Sequence, residues 1–204
     1  MAFTSASTSF VRYRIPQQIE QPFWGEVLDR LKRFAFVDID NNSDERSFGW
    51  VCFDDMLDTN WEVAPPEKGA YLAFSLRLDT RRVPAAVFKK HFQIALKDLK
   101  EQVKESGKKF VSKDQKTELR EQVLLRLRSR TLPVPAYFEV IWNTDSQVIF
   151  FGSTRDKVCE MFEELFHKTF GIHLERQTPF WLGLQVAGIQ ARGQLESMEP
   201  ISFI

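Results

Sequence analysis

Apolar positions along the chain recur with two different periods, and the switches between them lay out strands and helices in turn. In "SFVRYRI" (residues 9–15) Phe10, Arg12 and Arg14 alternate with Val11, Tyr13 and Ile15, the period of a half-buried strand. Pro22 suits a first helical turn, and Phe23, Val27, Leu31 and Phe34 follow at helical spacing, so one core-facing helix is predicted there. "DIDNNSDERSFGWVCF" (residues 38–53) passes from a polar acidic loop into a short strand around Trp50 and Phe53. Beyond Pro65 and Pro66, "AYLAFSLRL" (residues 70–78) reads as another strand.

Pro84 opens a long helix in which Phe88, Phe92, Ala95, Leu96, Leu99 and Val103 share one arc. Lys90, Lys97, Lys100, Lys104 and Lys108 fall in an adjoining arc, and Gly107 ends the helix in the manner of a C-cap. A second helix, about Lys113 to Ser129, carries Leu119, Val123 and Leu127 at i, i+4 and i+8, so the pair is expected to form a protruding antiparallel helical hairpin. Pro133 and Pro135 stop it. "AYFEVIWN" and "QVIFFG" then read as two strands joined at "TDS". Ser153 or Thr154 is placed to cap a helix with Val158, Phe162, Leu165, Phe166 and Phe170 on its apolar face, closed by Gly171 before the strand-like "IHLERQ". The tail from Trp181 to Ile204 is weakly patterned and reads as an extra strand or a partner arm. The expected fold is therefore α+β, mainly antiparallel, with helices packed on the sheet. A central domain of residues 1–82 and 131–180 carries an inserted helical hairpin at residues 83–130, and residues 181–204 follow as a tail.

At 204 residues, 43% of them hydrophobic, the chain can bury a sizeable core. No apolar run is long enough for a membrane span and the N-terminus lacks a secretory pattern, so a cytoplasmic protein is expected. Cys52 and Cys159 sit in predicted strand and helix, consistent with buried thiols in a reducing compartment. The formal net charge of +0 conceals an asymmetry. Between Arg77 and Arg130 there are 16 Lys or Arg against 7 Asp or Glu, a net +9, and the rest of the chain is correspondingly acidic. Such a split suggests a polyanionic partner for the basic segment. Arg77, Arg81 and Arg82 enter the hairpin and Arg126, Arg128 and Arg130 leave it, so guanidinium groups suited to phosphate are expected at both of its bases.

Other chemistry finds less support. The nine glycines are scattered, with neither a Walker pattern nor a GxGxxG run. His91, His167 and His173 are too dispersed for a zinc site. Asp38, Asp40, Asn42 and Asp44 alternate as in a calcium loop, yet Ser43 replaces the turn glycine and Gly49 the closing glutamate. Asp54, Asp55 and Asp58, with Asp38 or Asp40, would serve a two-metal nuclease only if they converged. Three readings stay open: nonspecific DNA binding, a metal-dependent nuclease, and a protein-interaction module of phage origin. No cofactor or metal is expected under the first.

The order of short motifs adds a resemblance. "FVRYRI", "GWV" at residues 49–51, "RRVPAAVFKKHFQIALKDLK", and "LREQVLLRLRSR" running into "AYFEVIWN" resemble the RdgC family of bacterial recombination-associated proteins over about residues 10 to 180. The resemblance implies a non-catalytic, nucleoid-associated protein that dimerises into a ring, encloses duplex DNA in a positive hole and opposes the RecA recombinase. By position, Arg130 falls where the family has an arginine near the pore. Leu132 falls where relatives have a phenylalanine that helps close the ring, which keeps an apolar contact but loses aromatic area. Family members continue for roughly a further domain, so the chain reads as a shortened member.

Overall fold

The computed structural model describes Phe3, residues 7–107 and residues 110–198. In chain order the elements are β1 (Val11–Arg14), α1 (Gln21–Trp24), α2 (Val27–Arg33), β2 (Arg46–Cys52), β3 (Glu67–Lys68), β4 (Tyr71–Thr80), α3 (Ala85–Glu105), α4 (Lys113–Arg128), β5 (Val134–Asn143), β6 (Val148–Phe151), α5 (Asp156–Phe170), β7 (Glu175–Gln177) and α6 (Pro179–Ala187). A single 3-10 turn (Ile189–Ala191) and α7 (Arg192–Glu196) follow. The strands form one seven-stranded sheet in the order β2-β4-β5-β6-β1-β7, with β3 beside β4. β1 pairs antiparallel with both β6 and β7, and β5 with β6. The fold class is α+β, as the periodicities require.

The chain divides into two compact units, one of Met1–Ala35, Trp50–Leu76 and Phe138–Ile204, the other of Phe36–Gly49 and Arg77–Tyr137. In the first unit alternation along the strands sends Tyr13, Phe74, Trp142, Ile149 and Phe151 to one side, where they are buried. There they meet the apolar stripe of α5. Phe162 stacks on Phe151 at 4.1 Å between centroids, and Phe166 and Phe170 reach Trp142. Trp50 brings a polar edge into this core, and its indole N–H donates to Thr169 Oγ1 at 2.8 Å. The cross-strand register aligns Arg12, Phe150 and Ile141 on the opposite face of the sheet, which is only half-buried. Cys52 and Cys159 are free and buried, as their placement in strand and helix implied. Burial pushes the Cys159 thiol above its ordinary range.

The structure departs from the sequence pattern at three places. The helix expected over Phe23 to Phe34 is two, α1 and α2, because Gly25 interrupts it where backbone entropy disfavours a continuous helix. The cap of α5 is Arg155, with no side-chain capping bond, while Ser153 Oγ accepts from the Arg155 N–H instead. Up to residue 198 the tail forms helices, not the extra strand that was one of its two readings. Thr178 caps α6 through its side chain and Pro179 occupies the first turn, a start signal that the weak apolar pattern downstream had masked.

In the second unit α3 and α4 pack against each other. Val103, Val123 and Leu127 are buried between them, and Phe88 and Phe92 stack at 5.8 Å. Arg120 lies over the Phe88 ring at 5.1 Å. Ser112 and Gln115 exchange bonds at the start of α4, a full capping box that fixes where the second helix begins.

Candidate nucleic-acid interface

α3 sorts its side chains by angle. At about 100° per residue the apolar arc runs through Phe88, Leu99 and Val103, and Lys89, Lys90, Lys97, Lys100 and Lys104 occupy the arc beside it. Asp98 and Glu105 lie further round, and Glu101 borders the ridge about 40° from Lys97, with no ion pair to it among the described residues. All five lysines are exposed and, among the described residues, none has an ion pair. From Lys90 to Lys104 the ridge covers ~21 Å of helix axis, the rise of about six base pairs of duplex. Unneutralised like charges at this spacing repel one another, and a polyanion relieves that repulsion. Lys89 belongs to the same arc and escapes a reading fixed on Lys90. Lys108 lies outside the described residues.

The arginines behave differently. Arg77 is buried, with its Nε and Nη2 each 2.8 Å from a carboxylate oxygen of Asp79 and its guanidinium stacked over Phe36 at 4.1 Å. That bidentate bond to Asp79 raises the Arg77 pKa further. Arg81 is 2% exposed and spends its fork on backbone carbonyls: Nη1 donates to Asn42 O at 2.6 Å and Asp44 O at 3.1 Å, and Nη2 to Ile39 O at 2.8 Å and Asp40 O at 3.4 Å. The expectation of Arg77 and Arg81 as phosphate ligands is thus corrected, because both guanidinium groups are enclosed and already partnered. The signal was present in "RLDTR". Arg77, Asp79 and Arg81 are two apart, so on a strand they share one side and form a buried charge ladder. The alternating loop from Asp38 to Asp44 does gather carbonyls around a positive charge, and that charge is the Arg81 side chain.

Arg126 and Arg128 do not form one cluster. Two residues apart on α4, they point about 160° away from each other. Arg128 is half-buried and bonded to Glu45, whereas Arg82, Arg126 and Arg130 are exposed and have no ion pair among the described residues. Arg46, absent from the sequence-based set, lines a concavity of about 540 Å³ with Arg82, Thr80, Asp44 and Glu45. Leu132 follows α4 on the way into β5 and is 75% exposed, with Val134 beside it at 66%.

The acidic candidates have local duties. Asp38 Oδ1 accepts the Asp40 N–H at 2.6 Å, and Asp54 pairs with Lys68 at 2.7 Å. Asp55 Oδ1 accepts from Leu57 N. Asp58 accepts from Asn60 N at 2.8 Å and Val63 N at 2.9 Å. Desolvation works against its charge, but these backbone N–H groups outweigh it and hold the carboxyl below its ordinary range. A lowered folded-state pKa contributes stability above the unfolded value, lost as pH falls through the folded one. The melting-temperature gap between wild type and Asp58→Asn is therefore expected to be widest at neutral pH and to shrink on acidification. A gap independent of pH in thermal melts would show that the charge of Asp58 plays no part. Among the described residues, no three His, Cys, Asp or Glu side chains gather as a metal ion requires.

Fold and site together define an α+β protein that displays a ridge of free lysines on one of two packed helices. The family described as "Putative exonuclease, RdgC" matches residues 9–178, and the chain belongs to the RdgC family. At that coarse level membership supports a recombination-associated DNA-binding role. No curated protein matches the chain. No helix among the described residues is long and apolar enough to cross a membrane.

Proposed function

We propose that this protein binds duplex DNA without sequence preference through the α3 lysine ridge, supported by Arg82, Arg126 and Arg130, and acts without catalysis. The observation that carries the reading is the ridge itself: five exposed lysines on one arc with no ion pair among the described residues, bordered by a single acid of the same helix, Glu101. Clustered cations of this kind bind phosphates by counterion release, which carries no sequence information. Two copies associate in this reading, with the exposed Leu132 and Val134 supplying an apolar contact, and the enclosed duplex is denied to the RecA recombinase in the nucleoid of the cytoplasm.

Mobility-shift titrations with two unrelated duplexes of equal length test the DNA reading. Similar affinities that fall together as salt rises are expected, and a strong preference for one sequence, or no retention at low salt, would reject it. The family description also names an exonuclease. End-labelled duplex incubated with magnesium or manganese is expected to stay intact, and progressive loss of the label would replace the non-catalytic reading.

A further inference from the structure

The first unit carries a groove unrelated to the lysine ridge. It measures about 530 Å³ and runs between the β1–β7 edge of the sheet and α6, walled by Arg14, Gln177, Trp181, Leu184 and Ile189. Its helical wall is apolar and open, with Trp181 56% and Ile189 80% exposed. Its strand wall is polar and unsatisfied. Gln177 Oε1 and Arg14 Nε are shielded from solvent with no hydrogen-bond partner, and Arg12 Nε, on the residue directly opposite Gln177 in the β1–β7 register, is in the same condition. One acceptor and two donors in neighbouring cross-strand positions thus lack partners on a single face.

Net charge here is balanced. Arg14 pairs with Glu175 at 3.1 Å, and Arg176 pairs with Asp156 at 3.0 Å and Glu163 at 3.1 Å. A phosphate gains little against such a neutral rim. A flat, uncharged group with both donors and acceptors along its edge fits better, since its face can lie on the indole and its edge can meet the strand wall. We propose that this groove takes a nucleobase of an unpaired DNA strand, stacked on Trp181, with the Gln177 and Arg14 side chains turning out from the strand wall to meet its edge. Arg12, which lies over Phe150 at 6.0 Å and has no ion pair among the described residues, faces the adjoining backbone. The site uses none of the residues of the proposed duplex surface and rests on the proposed function only in taking DNA as the ligand.

Intrinsic fluorescence of the full chain supplies the test, because Trp50, Trp61 and Trp142 are buried and Trp24 is half-buried, leaving Trp181 the most open indole. A thymidine oligonucleotide of about ten residues is compared with an abasic strand of the same length. The thymidine strand is expected to quench emission and to bind roughly tenfold more tightly than the abasic strand. Trp181→Ala should abolish both differences and leave duplex affinity unchanged. Gln177→Leu, which keeps the indole, should reduce the preference for bases over abasic sugar about threefold. Equal binding of the two strands by the wild type, or full base preference in both variants, would overturn the proposal. So would quenching by an extended apolar peptide in place of the oligonucleotide, which would give the groove to a protein partner. Loss of duplex binding with the base preference intact would count against the lysine ridge alone.

Discussion

Replacing Lys97, Lys100 and Lys104 together with glutamine is expected to lower duplex affinity by roughly 100-fold or more at about 0.1 M salt and to flatten the logarithmic salt dependence by about 2.7. Each phosphate contact releases counterions that contribute ~0.9 to the slope, and at about 0.1 M salt such a contact is worth nearly a factor of ten. The three lysines are exposed on one arc of α3 outside its apolar arc, with Lys100 about 60° and the other two about 100° or more from the buried Val103. Glutamine has nearly the same helix propensity as lysine, so the fold should be preserved. The corresponding triple arginine variant keeps the charge and should keep the affinity. An affinity within about twofold of wild type, with an unchanged slope, would remove α3 from the interface.

Arg81→Lys is expected to do the opposite, costing about 3 kcal/mol of stability while barely altering DNA binding at temperatures where the variant stays folded. The guanidinium serves four carbonyls at once, from Ile39, Asp40, Asn42 and Asp44. A lysine brings a single ammonium that cannot span them; the buried bond to Ile39 O and three part-buried bonds to the loop are then lost or shared, and a carbonyl left unpaired away from water costs ~1–3 kcal/mol. For a chain of this size that is a fall of about 6–12 °C in melting temperature. Calorimetry or circular dichroism reads the loss, and wild-type melting in Arg81→Lys would show that the four bonds are not what holds residues 39–44. The two substitutions separate roles that charge counting merges: one cation is displayed to a ligand, the other is part of the interior.

The arc of lysines on α3 was legible because a helix repeats its face over many residues, so angle alone sorts Phe88, Phe92 and Val103 from Lys97, Lys100 and Lys104. The same rule correctly located the apolar face of α5 from Phe162, Phe166 and Phe170. Neighbouring arginines were harder to read. Arg126 and Arg128 look clustered in the sequence and diverge on the helix, and Arg128 meets Glu45, a residue far away in the chain. α6 was missed because Thr178 and Pro179 announce it, but the residues after them lack a clear apolar stripe.

Local periodicity and end signals, which depend only on residues within a few turns, determined the α+β alternation, the long cationic helix and the buried thiols. Which cations are free was decided chiefly by the tertiary structure, the Arg77–Asp79 pair being the local exception. An arginine's availability depends on which groups distant segments bring to it, as the Phe36 ring does for Arg77, Glu45 for Arg128 and the loop carbonyls for Arg81. Sequence spacing reports neighbours along the chain, whereas the desolvated partners that claim a charge are chosen by folding.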